Sequence, residues 1–376
     1  METKNTFNQA VVGGIQVKNR IFRSATYEGY TTKNNEPNEQ FYDIYENLSK
    51  GEVGLIITGY MVFATTDHAT ESVVVINSDT VPSLKKLTDS VHQKGTKIVA
   101  QLNHGTSRTF SEVGDVHYGP SEYTDPVTGL AVTALSLEQL EDFIKEFGAA
   151  ASLAKSAGFD GVQIHGAHGY LLNKFLSPAY NKRTDKYGGD LKGRMQIVVD
   201  VLVEIKRSCG ADFPVWTKLN CSDFKLHEEG ITESEFLETA ETLGKNGIDA
   251  IEVSGGSMTG EHSAARPKKH SAYHLESAKK ATQKTNADII LVGGMREVDA
   301  IETILSETDI KAVSLARPFV REPGLVKRWI SGDRTNAKCV ACNGCFNPSG
   351  LRCFFDLTDE EKEAQRAVMK MMGVDA

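Results

Sequence analysis

A strand–helix alternation runs the length of this chain and restricts its fold more than any single residue does. Short β-branched runs at Arg20–Thr26, Val53–Gly59, Thr96–Leu102, Gly161–His165, Val215–Asn220, Ala250–Ser254, Ile289–Gly293 and Ala312–Ala316 are each followed by a longer stretch with helical spacing. Those stretches are Glu39–Lys50, Thr80–Lys94, Leu135–Ala157, Leu191–Cys209, Thr232–Asn246, Tyr273–Lys284, Glu297–Leu305 and Pro323–Ile330. Eight such pairs predict an α/β fold, the (β/α)8 barrel, whose parallel strands stay apolar because both of their faces are buried. A doubly wound open sheet competes, but no strand is followed by Gly-x-Gly-x-x-Gly. Ahead of the first strand, Ala10–Val12 and Ile15–Val17 flank Gly13-Gly14, the pattern of a hairpin with a two-residue turn. The chain of 376 residues is thus expected to form a barrel over 1–335, with a Cys-rich segment and a C-terminal helix packed on it over 336–376.

Charge and hydropathy narrow the partners. The net charge of −8 argues against nucleic acid, which needs a basic face. No run of about 18 apolar residues is present, so no membrane span is expected. The opening Met-Glu-Thr-Lys-Asn-Thr-Phe-Asn lacks the apolar core of a signal peptide, which points to the cytoplasm. Four of the six cysteines crowd together as Cys339-x2-Cys342-x2-Cys345-x7-Cys353. In a reducing compartment such density suggests metal or redox chemistry before disulfides.

In a barrel of this type the chemistry sits where strands end and the following loops begin. Three of those loops are long: 103–134, 166–190 and 255–272. The sharpest signal opens the second of them, where Gly161-Val-Gln-Ile-His-Gly-Ala-His-Gly-Tyr sets His165 at the strand's mouth, with His168 and Tyr170 just beyond. Two imidazoles and a phenol can hold an oxygen that gains negative charge and hand over a proton. A zinc hydrolase is the competing use of two histidines, but no nearby strand end clearly supplies a further ligand or a water-activating carboxylate.

The run His165-Gly-Ala-His-Gly-Tyr-Leu-Leu, continued by Phe175-Leu-Ser-Pro, Asn181-Lys-Arg-Thr-Asp and Tyr187-Gly-Gly, resembles the signature of the old yellow enzyme family, FMN-containing barrels that reduce activated alkenes. The resemblance extends along nearly the whole chain. Arg20-Ile-Phe-Arg-Ser-Ala-Thr is similar to the family's first strand and Gln101-Leu-Asn-His-Gly to its third. Val292-Gly-Gly-Met-Arg and Leu315-Ala-Arg-Pro-Phe resemble the phosphate-binding ends of strands seven and eight. The Cys-rich tail is similar to that of the branch containing the barrel of 2,4-dienoyl-CoA reductase.

The resemblance implies a flavin oxidoreductase, an ene-reductase that passes hydride from NADH or NADPH through FMN to the β-carbon of an α,β-unsaturated carbonyl-type substrate. It gives His165 and His168 the role of donors to the carbonyl oxygen, and Tyr170 that of proton donor to the α-carbon. It brings the flavin against Ser24, Ala25 and Thr26 at strand one, Gly59 at strand two, Gln101 at strand three and Lys218 at strand five. Lys218 would place positive charge near flavin N1 and O2; the family more often has Arg there, and Lys keeps the charge but loses the fork. Gly293, Gly294, Ala316 and Arg317 would bind the FMN phosphate, Arg in bidentate fashion.

The tail departs from the related branch, which holds a [4Fe–4S] cluster and has x3 before its third cysteine where this chain has x2. For Cys339, Cys342, Cys345 and Cys353 an iron–sulfur site stands ahead of zinc, with empty thiols also open. Two readings follow: a self-sufficient ene-reductase acting on a small electrophilic alkene with a nicotinamide donor, or an FMN/iron–sulfur subunit with an electron-donating partner. Self-association is left open. The local basic run of His262, Arg266, Lys268, Lys269 and His270 suits an anionic substrate or the donor's phosphates, or is a solvated loop.

Overall fold

The computed structural model describes residues 6–64, 72–104, 116–125, 129–223, 229–256, 271–347 and 350–371. The chain opens with an antiparallel hairpin, β1 (Ala10–Val12) and β2 (Ile15–Val17). Strand and helix then alternate as β3 (Ile21–Arg23), α1 (Glu39–Lys50), β4 (Leu55–Met61), α2 (Val81–His92) and β5 (Lys97–Leu102). The next loop carries a small three-stranded sheet of β6 (His117–Gly119), β7 (Tyr123–Thr124) and β8 (Ala131–Ala134). There follow α3 (Leu137–Ser156), β9 (Gly161–Gly166), α4 (Leu171–Leu176), α5 (Leu191–Cys209), β10 (Val215–Asn220), α6 (Glu233–Lys245), β11 (Ala250–Ser254) and α7 (Leu275–Ala281). The barrel ends with β12 (Asp288–Val292), α8 (Val298–Glu307), β13 (Ala312–Leu315), α9 (Arg317–Arg321) and α10 (Leu325–Ile330). The tail contributes a hairpin, β14 (Phe346–Asn347) with β15 (Gly350–Leu351), and α11 (Asp359–Met371).

Eight parallel strands close in the order β3-β4-β5-β9-β10-β11-β12-β13, the last pairing with the first. The expected (β/α)8 barrel is therefore the fold. The strand ends follow the sequence within one or two residues except at β3, which stops at Arg23 where the run continues to Thr26, and the Thr26 hydroxyl donates back to the Ser24 carbonyl, 2.9 Å away, as the chain leaves the sheet. Two helices, α3 and α6, begin one or two residues later than their apolar spacing suggests because a polar residue caps them. Ser136 and Thr232 form capping boxes with Gln139 and Glu235, each satisfying N–H groups that a helix start leaves unpaired. The expected eighth helix, Pro323–Ile330, is α10, and a further short helix, α9, precedes it, starting at Arg317 just after β13.

Successive strand residues face opposite ways, so the barrel interior is stacked in layers. The lowest layer is apolar: Phe22, Ile57, Val99, Trp216, Ala250, Ile290 and Ala312 pack against Val12, Ile15 and Val17 of the hairpin, which plugs that end. Gly13 makes the plug possible. Its φ is +51°, a Cβ there would lie 2.4 Å from Trp216 Nε1, and that indole N–H donates to the Gly13 carbonyl at 2.9 Å. The larger core lies outside the barrel, between sheet and helices, around residues such as Phe143, Phe147, Ile164 and Leu202.

Candidate active site

One layer above the plug, the inward positions turn polar: Ser24, Gln101, Gln163, Lys218, Glu252 and Ser314, all buried. Glu252 is at their centre. Its Oε1 accepts from Ser24 Oγ (2.7 Å) and Ser314 Oγ (2.6 Å), and its Oε2 accepts from Gln163 Nε2 (3.0 Å) and pairs with Lys218 Nζ (3.1 Å). Burial alone would raise this carboxyl; the Lys218 ammonium and the three hydrogen bonds outweigh it and hold the group below its ordinary range. Lys218 also donates to Ser24 Oγ at 3.0 Å, and Gln101 Nε2 donates to Gln163 Oε1 at 2.7 Å. Lys218, Gln101 and Ser24 are thus brought together as the sequence leads one to expect, and two residues it does not single out, Glu252 and Gln163, tie them.

The next layer forms the mouth, with Asn103, His165, Asn220 and Ser254, each almost fully buried. Strand pairing sets Lys218 beside His165 and Asn220 beside Ser254. His165, His168 and Tyr170 converge here: the His165 ring lies 5.3 Å from that of His168, at right angles, and 4.7 Å from that of Tyr170. His168 sits in the left-handed region, φ +63°, at an energy cost of about 1–3 kcal/mol for a non-glycine residue. Two contacts hold it there. Its N–H donates to Asn220 Oδ1 at 3.1 Å, and its Nε2 shares a 2.7 Å hydrogen bond with Ser254 Oγ. Tyr170 is the N-cap of α4, and an aromatic row continues outward from it to Tyr60 (5.3 Å) and Tyr27 (6.1 Å from Tyr60). No motif marks Tyr27 or Tyr60; they immediately follow the β-branched runs 20–26 and 53–59 of the sequence, which is the one signal that could have found them.

Other expected flavin contacts fall nearby with local duties of their own. Thr26 is buried beside Ser24, and Ala25 is half-buried between them. The Gly59 N–H donates to Glu28 Oε1 at 3.0 Å, and a Cβ on Gly59 would come within 2.0 Å of Glu28 Oε2. Glu28 in turn is ion-paired with buried Arg23 at 2.8 Å and accepts from Tyr45 Oη at 2.7 Å. Gly59 is therefore demanded by this buried cluster as well as by any ligand. His104, from the third-strand motif, packs edge-on against Phe143 at 5.6 Å.

At the far corner, Gly293 and Gly294 have φ of +117° and +74°, which only glycine adopts without strain, and a Cβ on Gly293 would strike the Tyr273 ring at 2.5 Å. Ala316 precedes α9 and Arg317 is its first residue. The Arg317 Nη1 reaches into the tail, to the Ala341 carbonyl (3.5 Å) and to Asn343 Oδ1. The tail cysteines are close enough for Cys345 to sense the other three: burial first, then the charges of Cys339, Cys342 and Cys353, push its thiol up to about 12, with Arg317 opposing. Among the described residues, however, no three His, Cys, Asp or Glu side chains are gathered to hold a metal ion. The basic run from His262 to His270 lies outside the described residues. No helix of the described residues is long and apolar enough to cross a membrane.

Comparison with known proteins decides the family. The NADH:flavin oxidoreductase / NADH oxidase family matches residues 6–336. The chain belongs to that family, the old yellow enzymes. It is 31% identical over 347 residues to a metal reductase of Desulforamulus reducens, covering 91% of this chain and 51% of that protein. It is 30% identical over 374 residues to a cinnamate reductase of Clostridium sporogenes, covering 91% and 55%. A 2-naphthoyl-CoA reductase complex superposes with a TM-score of 0.84 at 26% identity, over 92% of this chain and 55% of that one. The chain spans about half the length of these relatives, whose names give reductases of varied substrates.

The residues at the mouth fit the family's flavin. A buried ammonium and amide side chains below the mouth, with two positive-φ glycines and a guanidinium at the far corner, are donors of the kind a flavin's pyrimidine edge and phosphate take.

Proposed function

We propose that this protein is an FMN-dependent ene-reductase that uses NADH or NADPH to reduce an alkene conjugated to a carbonyl or similar group. The observation that carries the reading is the convergence of His165, His168 and Tyr170 directly above the Lys218–Gln101 layer. Bound over that layer, FMN would supply two-electron hydride chemistry. His165 and His168 hold the acceptor's carbonyl oxygen and stabilise the negative charge that grows on it, as preorganised donors do in a site shielded from water. Asn220 and Ser254 keep the His168 ring in place for that task. Tyr170 hands its phenolic proton to the α-carbon. Lys218 would neutralise negative charge on the reduced flavin, and Arg317 with Gly293 and Gly294 would hold the phosphate.

The alternative, an FMN/iron–sulfur electron-transfer subunit with a partner reductase, draws on Cys339, Cys342, Cys345 and Cys353. Among the described residues these thiols are not gathered into a metal cage. The complete strand-four set favours the ene-reductase. Anaerobic purification followed by flavin absorbance, iron and zinc analysis, and NADH oxidation with and without an added enone separates the two. A yellow protein with enone-dependent turnover and no iron supports the proposal. A protein holding iron at a sizeable fraction of chain, with no enone-dependent turnover, supports the alternative.

A further inference from the structure

Glu252 is a charged residue within an apolar strand, Ala250-Ile-Glu-Val-Ser, and it is completely shielded from solvent. Carboxylates are almost never buried this deeply unless paired and hydrogen-bonded, because water stabilises their charge far better than a protein interior does. All four of its hydrogen-bond and ion-pair partners are inward-facing residues of other strands: Ser24 following β3, Gln163 on β9, Lys218 on β10 and Ser314 on β13. Gln163 passes the constraint on to Gln101 of β5. One carboxylate therefore orients Lys218, Ser24 and, through one amide, Gln101. The apolar plug beneath has no use for such a group, since hydrophobic residues of similar volume would pack there without a desolvation cost.

From this we infer that Glu252 is a positioning residue for the flavin site: it fixes the Lys218 ammonium and the Gln101 amide and sets how much positive charge the flavin's N1–O2 edge meets. The inference rests on the proposed placement of FMN over this layer. Two-electron, one-proton reduction leaves negative charge on that edge, so the balance between Lys218 and Glu252 bears on the relative affinity for reduced and oxidised flavin. A fully compensated lysine stabilises the reduced form less than an uncompensated one.

The test is the midpoint potential of the FMN-loaded protein at pH 7, with FMN affinity measured alongside. Glu252→Gln keeps the shape and one of the two acceptor oxygens but removes the charge. It should favour reduced over oxidised FMN by about tenfold relative to the parent, a rise of about 30 mV for a two-electron couple. Gln163→Leu cuts only the link from the carboxylate to Gln101. It should weaken FMN binding several-fold and leave the potential near that of the parent. Should Glu252→Gln not yield folded protein, the Gln163→Leu result carries the test. An unchanged or lowered potential in FMN-loaded Glu252→Gln, or parental FMN affinity and potential in Gln163→Leu, would overturn the inference. Failure of the parent protein to bind FMN at all would instead overturn the proposed function on which it rests.

Discussion

At the lower end of the barrel the inward positions are Phe22, Val99, Trp216, Ala250 and Ala312; two residues farther along the same strands they are Ser24, Gln101, Lys218, Glu252 and Ser314. Both layers are buried, and the same strand pairing aligns both. The lower one is held by area removed from water and by the fit of an indole against Gly13. The upper one is a closed network in which each polar atom must find its partner, because an unsatisfied group in that setting costs about 1–3 kcal/mol. Shape tolerates neighbours; a hydrogen-bond network specifies them. That difference assigns stability to one end and ligand chemistry to the other, and it can be attacked from either side.

The largest effect is expected at the plug. Trp216→Ala removes the ring that fills the lower layer and stacks on Phe22, with ring centroids 6.1 Å apart. It should cost about 3–5 kcal/mol in denaturant unfolding, while FMN bound per folded molecule stays near parental. A cost under about 1 kcal/mol would mean the hairpin, and not the indole, closes the barrel. At the proposed phosphate corner, Arg317→Ala should weaken FMN binding by about tenfold or more, since a hydrogen bond to a charged group is worth about 1.5–3 kcal/mol, with a much smaller effect on unfolding. Undiminished flavin after dialysis would remove Arg317 from the phosphate site.

How far this division can be read from sequence differs between the layers. The strands are legible because their runs are β-branched and apolar on both faces, and the strand-four residues because His165, His168 and Tyr170 crowd one strand end. Lys218 stands out as a charge inside Val215-Trp-Thr-Lys-Leu-Asn. Glu252 carries the same signal, yet its meaning depends on register: only the pairing of Lys218 with Glu252 across β10 and β11 brings the two charges together. The Arg23–Glu28–Tyr45 cluster is hidden for a related reason, since it forms where β3 leaves the sheet, a point that apolar spacing does not mark. Gly59 reads as a ligand contact, whereas the need for it is already set by Glu28.

The smallest effect belongs to a third, outer location that serves neither layer. Asp160, just before β9, is hydrogen-bonded by His92 and Lys97, both at 2.7 Å, and by the Ile98 N–H at 2.8 Å. Burial alone would raise its carboxyl, but these donors prevail and hold it below the usual carboxylate range. Because the folded-state pKa lies below the unfolded one, the stabilisation is present above the unfolded value of about 4 and is lost as pH falls through the folded value. Asp160→Asn should therefore cost about 1 kcal/mol at pH 7 and progressively less below pH 4, as followed by thermal unfolding across pH. A cost that does not shrink in acid would assign the role to shape and not to charge.

In the proposed function the upper layers carry out alkene reduction with Tyr170 as the source of the proton. Stopped-flow measurement of the two half-reactions in Tyr170→Phe tests it most directly, because the substitution keeps the ring against His165 and Tyr60 and removes only the hydroxyl. The account predicts flavin reduction by the nicotinamide close to parental, and oxidation of the reduced flavin by an enone slowed by about 10²-fold or more. Slowed flavin reduction with alkene reduction spared would contradict it.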